Sequence, residues 1–172
     1  RTGSAKWKLP CTTPKSRIST GAENSYEWLL YRMIEADFAE DDRVEFDTSP
    51  TPHQYAEVFG QTLHFHHGDS LKYGGGVGGL GIPLLKAKPK WDETRHSAIS
   101  HVGHFHQQRD YGRAMVNGSM IGFGPYSQWI NAGFEPPQQT FYLFDSKRGK
   151  TMTSPIWVRG EETDAKSLRV AA

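Results

Sequence analysis

The chain of 172 residues is long enough for one domain with a sizeable core and too short for two comfortable ones. Its 20 Lys and Arg residues nearly balance 19 Asp and Glu residues, so the net charge of +1 predicts no polycationic surface, and nucleic acid is neither indicated nor excluded as a substrate. The single cysteine, Cys11, rules out an internal disulfide, and the lack of a bilayer-length apolar run or a signal sequence predicts a soluble, cytoplasmic protein without a membrane partner.

The N-terminal part of the sequence predicts a loop, one helix and a hairpin. Residues 1–20 are rich in Lys, Arg, Ser, Thr and Pro and are expected to form an extended leader loop. A helix is expected to begin at Asn24, whose side chain can cap its first turn. Residues 55–59 and 62–67 flank Gly60-Gln61 and predict a β-hairpin. The helix should bury an apolar stripe formed by Tyr26, Leu29, Leu30, Met33, Ile34 and Phe38.

The following part predicts loops and further strands. Gly76, Gly78 and Gly81 fit a dinucleotide-binding spacing, but Pro83 argues against the crossover helix that such a motif needs, so a glycine-rich loop is expected. The other elements expected are a basic loop at 86–93, strands at 97–102, 113–116, 141–144 and 152–158, one helical turn at 126–130, and a polar, disordered tail at 159–172.

Six of the eight histidines lie in two short windows, residues 64–69 and 101–107, each at the end of a predicted strand. Side chains two positions apart share one face of a strand, so His104 and His106 are expected to point the same way. Neutral imidazole is the commonest metal-binding side chain. Two or three imidazoles at one sheet edge therefore predict a site for Zn, Mn or Fe.

The ordered motifs resemble the second half of the calcineurin-like metallophosphoesterases. His-Gly-Asp occurs at 67–69, Gly-His-x-His at 103–106 and Val-Asn-Gly-Ser at 116–119. A phage and prophage branch is more similar still, because it shares the glycine-rich loop and the Phe-Glu-Pro-Pro-Gln-Gln of 134–139. The resemblance implies an α/β fold, with a metallophosphoesterase-like β-sandwich flanked by helices. Residues 1–158 would form its C-terminal half, with mostly antiparallel strands.

The resemblance also implies two divalent transition metal ions (Mn, Fe or Zn) in the intact enzyme. His67 and His104 would bind one metal ion, and His106 the other. The residues beside the ligands or the substrate would be His66, Asp69 and Asn117. The family's Asp-x-His, Gly-Asp and Gly-Asn-His motifs have no match upstream of His67, so the catalytic histidine is expected to lie before this sequence. The chain alone should then bind metal weakly or partially and show no meaningful turnover.

The function that these motifs predict is metal-dependent hydrolysis of a phosphomonoester or phosphodiester, with nucleotides and nucleic acid among the candidate substrates. The partner would be a missing N-terminal half or a second copy of the chain. Three alternatives stay open: a catalytically incomplete module that binds a metal or a partner, a cupin-like metal oxygenase, and purely structural histidines. The oxygenase needs a carboxylate at a fixed offset from the histidines, and no Glu follows His64-Phe65-His66 within the hairpin.

Overall fold

The computed structural model describes residues 7–10, 26–49, 51–73, 78–129 and 133–158. The described helices are α1 (Tyr26–Asp37), α2 (Gly81–Thr94) and α3 (Pro125–Trp129). The described strands are β1 (Trp7–Pro10), β2 (Val44–Asp47), β3 (His53–Val58), β4 (Gln61–His66), β5 (Ile99–Val102), β6 (Arg109–Asp110), β7 (Ala114–Val116), β8 (Gln138–Asp145) and β9 (Gly149–Trp157). The predicted α/β class is confirmed.

The chain divides into two compact units. The first comprises Arg1–His104 and Asp110–Met115, and the second Phe105–Arg109 and Val116–Ala172. The sheet that carries most of the buried apolar residues has five strands in the order β3-β4-β5-β7-β6. Its buried apolar side chains include Leu63, Ile99, Val102, Ala114 and Met115.

The predicted hairpin is confirmed as β3 and β4, which pair antiparallel with His53 opposite His66 and Tyr55 opposite His64. Its tight turn lies one residue earlier than predicted, at Phe59 and Gly60, where φ is 51° and 73°. Two consecutive positive φ values are typical of the type I′ turn, which matches the twist of a two-residue hairpin.

The expected basic loop at 86–93 is wrong, because these residues belong to helix α2. Pro83 is compatible with this helix because it lies in the first turn, where backbone N–H groups have no intrahelical partner. A helical crossover of this kind joins parallel strands. Accordingly β4 and β5 pair parallel, whereas the two longest pairings, β3 with β4 and β8 with β9, are antiparallel as expected.

Helix α1 also corrects a prediction. Asn24 lies outside the described residues, and the helix runs from Tyr26 to Asp37. The predicted buried stripe is largely at the surface, with Tyr26 90% and Met33 59% exposed, and no residue of the helix is buried. Helical spacing predicts that a helix has an apolar face, but that face is buried only if another element packs on it. In the described part of the chain, no element buries the apolar face of α1.

The predicted leader loop of residues 1–20 contains strand β1, which pairs parallel with β2. The rest of that loop, Cys11, Gly76 and the predicted tail at 159–172 lie outside the described residues. Within the described ranges, no helix has both the length and the apolar character needed to cross a membrane.

The second unit contains α3 and the long antiparallel hairpin of β8 and β9. Both strands were predicted; the structure extends β8 at both ends, and it begins β9 three residues earlier than predicted and ends it one residue earlier. The carboxylate of Glu135 accepts hydrogen bonds from the backbone N–H of Gln108 at 2.8 Å and from the side chain of Gln138 at 2.8 Å. These bonds connect the segment around Gln108 to the start of β8.

Candidate metal centre

Two parallel strands end at the same edge of the sheet and place two histidines there. His67 directly follows β4, and His104 comes two residues after the end of β5. The backbone N–H of Gly103 donates to the carbonyl oxygen of His67 at 3.0 Å. This bond ties the loop after β4 to the loop after β5, although the residues are far apart in sequence.

The imidazoles of His67 and His104 approach each other closely. Nδ1 of His104 lies 3.2 Å from Nε2 of His67, and the ring planes are inclined by 67°. This separation suits a hydrogen bond between two neutral rings. It also suits two ligands of one metal ion, because Zn–N bonds of 2.0–2.1 Å in tetrahedral geometry place the nitrogens about 3.3 Å apart.

The Gly-His-x-His segment has an unusual backbone. His104 and His106 have φ values of 68° and 55°, and the only other non-glycine residue with positive φ in the described ranges is Phe59 of the hairpin turn. Side chains with a Cβ adopt this region rarely, and such strain clusters at functional sites. The expectation that His104 and His106 share a strand face is wrong, because β5 ends at Val102 and alternation no longer applies.

His106 belongs to the second unit. Its ring lies 5.9 Å from that of Tyr126, and it lines a small cleft with Phe123, Ser127 and Glu135. Within the described ranges, no three His, Cys, Asp or Glu side chains are gathered in a way that could hold a metal ion. Within the first unit, the structure brings together two of the predicted ligands, His67 and His104.

The three residues predicted beside the ligands occupy different settings. His66 is buried, and its Nδ1 accepts the backbone N–H of Gly68 at 2.8 Å. Asp69 is exposed in the turn after His67. In the second unit the Asn117 amide donates to Oε1 of Gln139 at 2.7 Å and accepts the backbone N–H of Thr140 at 2.9 Å. These bonds anchor the first residues of β8.

A cluster of three histidines lies on the β3–β4 hairpin: His64 and His66 are buried, and His53, which sequence reasoning missed, is half-buried. Nδ1 of His53 lies 2.9 Å from Nε2 of His64, and the rings of both make edge-type contacts with Trp91 of α2. Burial and the neighbouring rings lower the pKa of His64 to about 3, and burial together with His53 lowers the pKa of His66 to about 4. The hairpin register, which places His53 beside His66, is the signal that could have revealed it.

The chain matches no protein-family model and no curated protein sequence. Two crystal structures of Vps29 from Entamoeba histolytica are similar. The wild-type protein complexed with Zn²⁺ is 14% identical at a TM-score of 0.42, over 69% of this chain and 66% of that one. A single mutant is 10% identical at a TM-score of 0.43, over 87% of this chain and 98% of that one. This chain thus spans just under two thirds of the first of these proteins, and likeness at this level shows neither a family nor a function.

Proposed function

We propose that this chain supplies part of the metal centre of a metal-dependent phosphoesterase of the phage and prophage calcineurin-like type. The observation that supports this proposal best is the 3.2 Å approach of Nδ1 of His104 to Nε2 of His67, two residues separated by 37 positions in sequence. Both belong to the motifs from which the resemblance was inferred. The left-handed backbone at His104 and His106 adds a second reason to expect function at this loop.

The donor set fits a divalent transition metal. Imidazole nitrogen suits Zn, Mn and Fe better than Mg, and His67 and His104 would hold one such ion. His106 would serve a second ion, and the remaining ligands would come from outside the described residues or from a second polypeptide. Bound metal ions in such enzymes polarise a phosphoryl oxygen and make water a stronger nucleophile. The substrate class would be phosphomonoesters or phosphodiesters, nucleotides and nucleic acid included.

Metal titration of the purified chain tests the ligand assignment. Isothermal calorimetry with Zn²⁺ and Mn²⁺ should show one site that depends on both histidines, so that His67→Ala and His104→Ala each weaken binding at least about tenfold. His96→Ala is the matched control, because the side chain of His96 is 73% exposed on the first unit and belongs to neither motif. Unchanged affinity in both ligand variants would refute the metal centre.

A non-catalytic metal- or partner-binding module is the second candidate. The 3.2 Å approach of the ring nitrogens of His67 and His104 within the first unit supports this candidate too, because two imidazoles can bind a metal ion without catalysing hydrolysis. Hydrolysis of a chromogenic phosphodiester with Mn²⁺ separates the two candidates. Activity that appears only on co-expression with a polypeptide carrying the family's first-half motifs supports the phosphoesterase. Metal binding without activity in either preparation supports the module.

A further inference from the structure

The backbone turn that follows His67 is held by the side chain of the residue before it. Gly68 has a φ of 108°, a conformation that glycine adopts far more readily than other residues, and it is buried. Its N–H donates to Nδ1 of His66 at 2.8 Å. A side chain that accepts the N–H two residues ahead mimics a backbone turn, as Asn and Asp do in Asx-turns.

The same hydrogen bond fixes the proton on His66. Because Nδ1 accepts from Gly68, the neutral ring carries its proton on Nε2, which donates to Oγ of Ser70 at 3.3 Å. Both ring nitrogens are therefore engaged by the turn, and neither has a free lone pair for a metal ion. The ring itself is nearly parallel to Trp91 of α2, with centroids 5.2 Å apart, so the side chain is anchored in the core.

The turn closed by the His66–Gly68 hydrogen bond determines the position of His67. His67 is the residue between the two ends of the His66–Gly68 bond, and its carbonyl oxygen accepts from Gly103, next to His104. A change in the turn would move the imidazole of His67 relative to that of His104. Ligands must stay within a few tenths of an ångström of productive geometry, and residues that orient them are worth about 10- to 100-fold in metal affinity.

We propose that His66 is a positioning residue, which orients His67 for metal binding through the backbone of Gly68 rather than binding metal itself. This inference rests on the proposed metal centre. The role of His66 depends on its Nδ1 atom, which accepts the hydrogen bond from the backbone N–H of Gly68. The aromatic ring of His66 contributes packing, and its Nδ1 contributes the orientation of the ligand.

Two substitutions separate these contributions. His66→Phe keeps an aromatic ring against Trp91 but cannot accept the Gly68 N–H, which leaves a buried donor unpaired. His66→Asn loses the ring but places an amide oxygen where an Asx-turn needs its acceptor. Zn²⁺ titration by calorimetry, with Co²⁺ absorption to report histidine ligation, measures the metal affinity of each variant. Thermal unfolding and the exchange rate of the Gly68 amide proton are measured in parallel.

We expect His66→Phe to bind Zn²⁺ about tenfold more weakly and to lose protection of the Gly68 amide. His66→Asn should keep both while unfolding at a lower temperature. A wild-type affinity retained in His66→Phe, or lost equally in both variants in step with stability, overturns the positioning role. If the wild type itself binds no Zn²⁺ through His67 and His104, the proposed metal centre fails, and that result differs from the two others.

Discussion

His53 and His64 are diagonal neighbours on the β3–β4 hairpin, with Nδ1 of His53 2.9 Å from Nε2 of His64. The other nitrogen of His64 lies 3.0 Å from Oγ of Ser100 on β5. His64 has no exposed surface, and no buried side-chain nitrogen or oxygen within the described ranges lacks a hydrogen bond. A proton added to this ring would enter a desolvated site that already contains other imidazoles, which is why its pKa is lowered.

Stability should therefore decrease in acid. Above the ordinary pKa of 6.5, folded and unfolded chains both hold these rings neutral. Below pH 6.5 the unfolded chain binds protons at these histidines. In the folded chain the pKa is only about 3 for His64 and about 4 for His66, so both rings stay neutral until the pH is much lower. The free energy of unfolding should fall by up to about 1.4 kcal/mol per pH unit for each histidine.

Urea unfolding from about pH 7.5 to about pH 5, in the presence of a chelator, measures this slope. His64→Gln keeps a donor and an acceptor but does not titrate, so its slope should be shallower than that of the wild type. Equal slopes in His64→Gln and the wild type would contradict the assignment.

The hairpin turn offers a stabilising substitution. Phe59 has a φ of 51° and a side chain that is 66% exposed, so its ring contributes little burial to offset the cost of a left-handed backbone. Asn is favoured at this position of a type I′ turn. Phe59→Asn should raise the free energy of unfolding by roughly 0.5–1 kcal/mol, measured by chemical denaturation.

Gly60→Ala is the complementary variant for this turn. A Cβ at Gly60 would meet nothing within 4 Å, so its cost comes from the φ of 73° alone. This variant should be less stable than the wild type. A Phe59→Asn variant that is no more stable than the wild type would show that the phenyl ring contributes more than its exposure suggests.

The parts of the fold that sequence could predict are those specified locally. The hairpin of β3 and β4 follows from a glycine turn between two alternating segments. Its register was not predicted, because the register follows from the turn and the turn lies one residue earlier than expected. Helix α2 was not predicted, because two prolines and three lysines interrupt its stripe of apolar residues, which recur at helical spacing. Leu80 and Leu84 are buried, and Ala87 and Trp91 continue that stripe half-buried. For α1 the stripe was recognised, but its burial depends on a surface that no local pattern specifies.

The candidate site also has features that the sequence could predict and features that it could not. The histidine motifs predicted that His67 and His104 bind one metal ion; their ring nitrogens lie 3.2 Å apart, and their role as ligands stays a prediction. The left-handed backbone at His104 could not be predicted, because strand alternation was expected there and β5 ends at Val102. The acceptor role of His66 could not be predicted either, because it depends on the φ of 108° at Gly68, which the residue pattern does not specify.

Gly118 is predicted to be intolerant of a side chain. A Cβ there would lie 2.6 Å from the carbonyl oxygen of Gln138, a backbone atom that cannot rotate away. Gly118→Ala should destabilise the protein by about 1–3 kcal/mol, measured by urea unfolding. Gly124→Ala is the control in the same unit, because a Cβ at Gly124 meets nothing within 4 Å. Equal stability of the two variants would mean that the β8 end moves freely to make room.

Lys88 is a buried cation on α2, with a side chain only 5% exposed. Its Nζ donates to both carboxylate oxygens of Asp92, at 2.9 and 3.0 Å, and to the carbonyl oxygen of Ser97 at 2.9 Å. Burial raises the pKa of Asp92, but the hydrogen bonds from Lys88 and Ser97 outweigh it, so the pKa is lowered overall. The carboxylate of Asp92 is therefore ionised, and besides Lys88 it has Arg113 as a neighbour, 3.6 Å away.

Asp92→Ala should destabilise the protein by about 3 kcal/mol in chemical denaturation, because it leaves the Lys88 ammonium buried without a counter-charge. Glu57→Ala is the matched control, because it breaks an exposed ion pair. The side chains of Glu57 and Arg95 are 50% and 49% exposed, so the loss of this pair should lower the free energy of unfolding by less than about 1 kcal/mol. Adding Lys88→Met to Asp92→Ala removes the unpaired charge and should restore part of the lost stability. A double variant less stable than Asp92→Ala alone would show that Lys88 stabilises α2 through Ser97 rather than through Asp92.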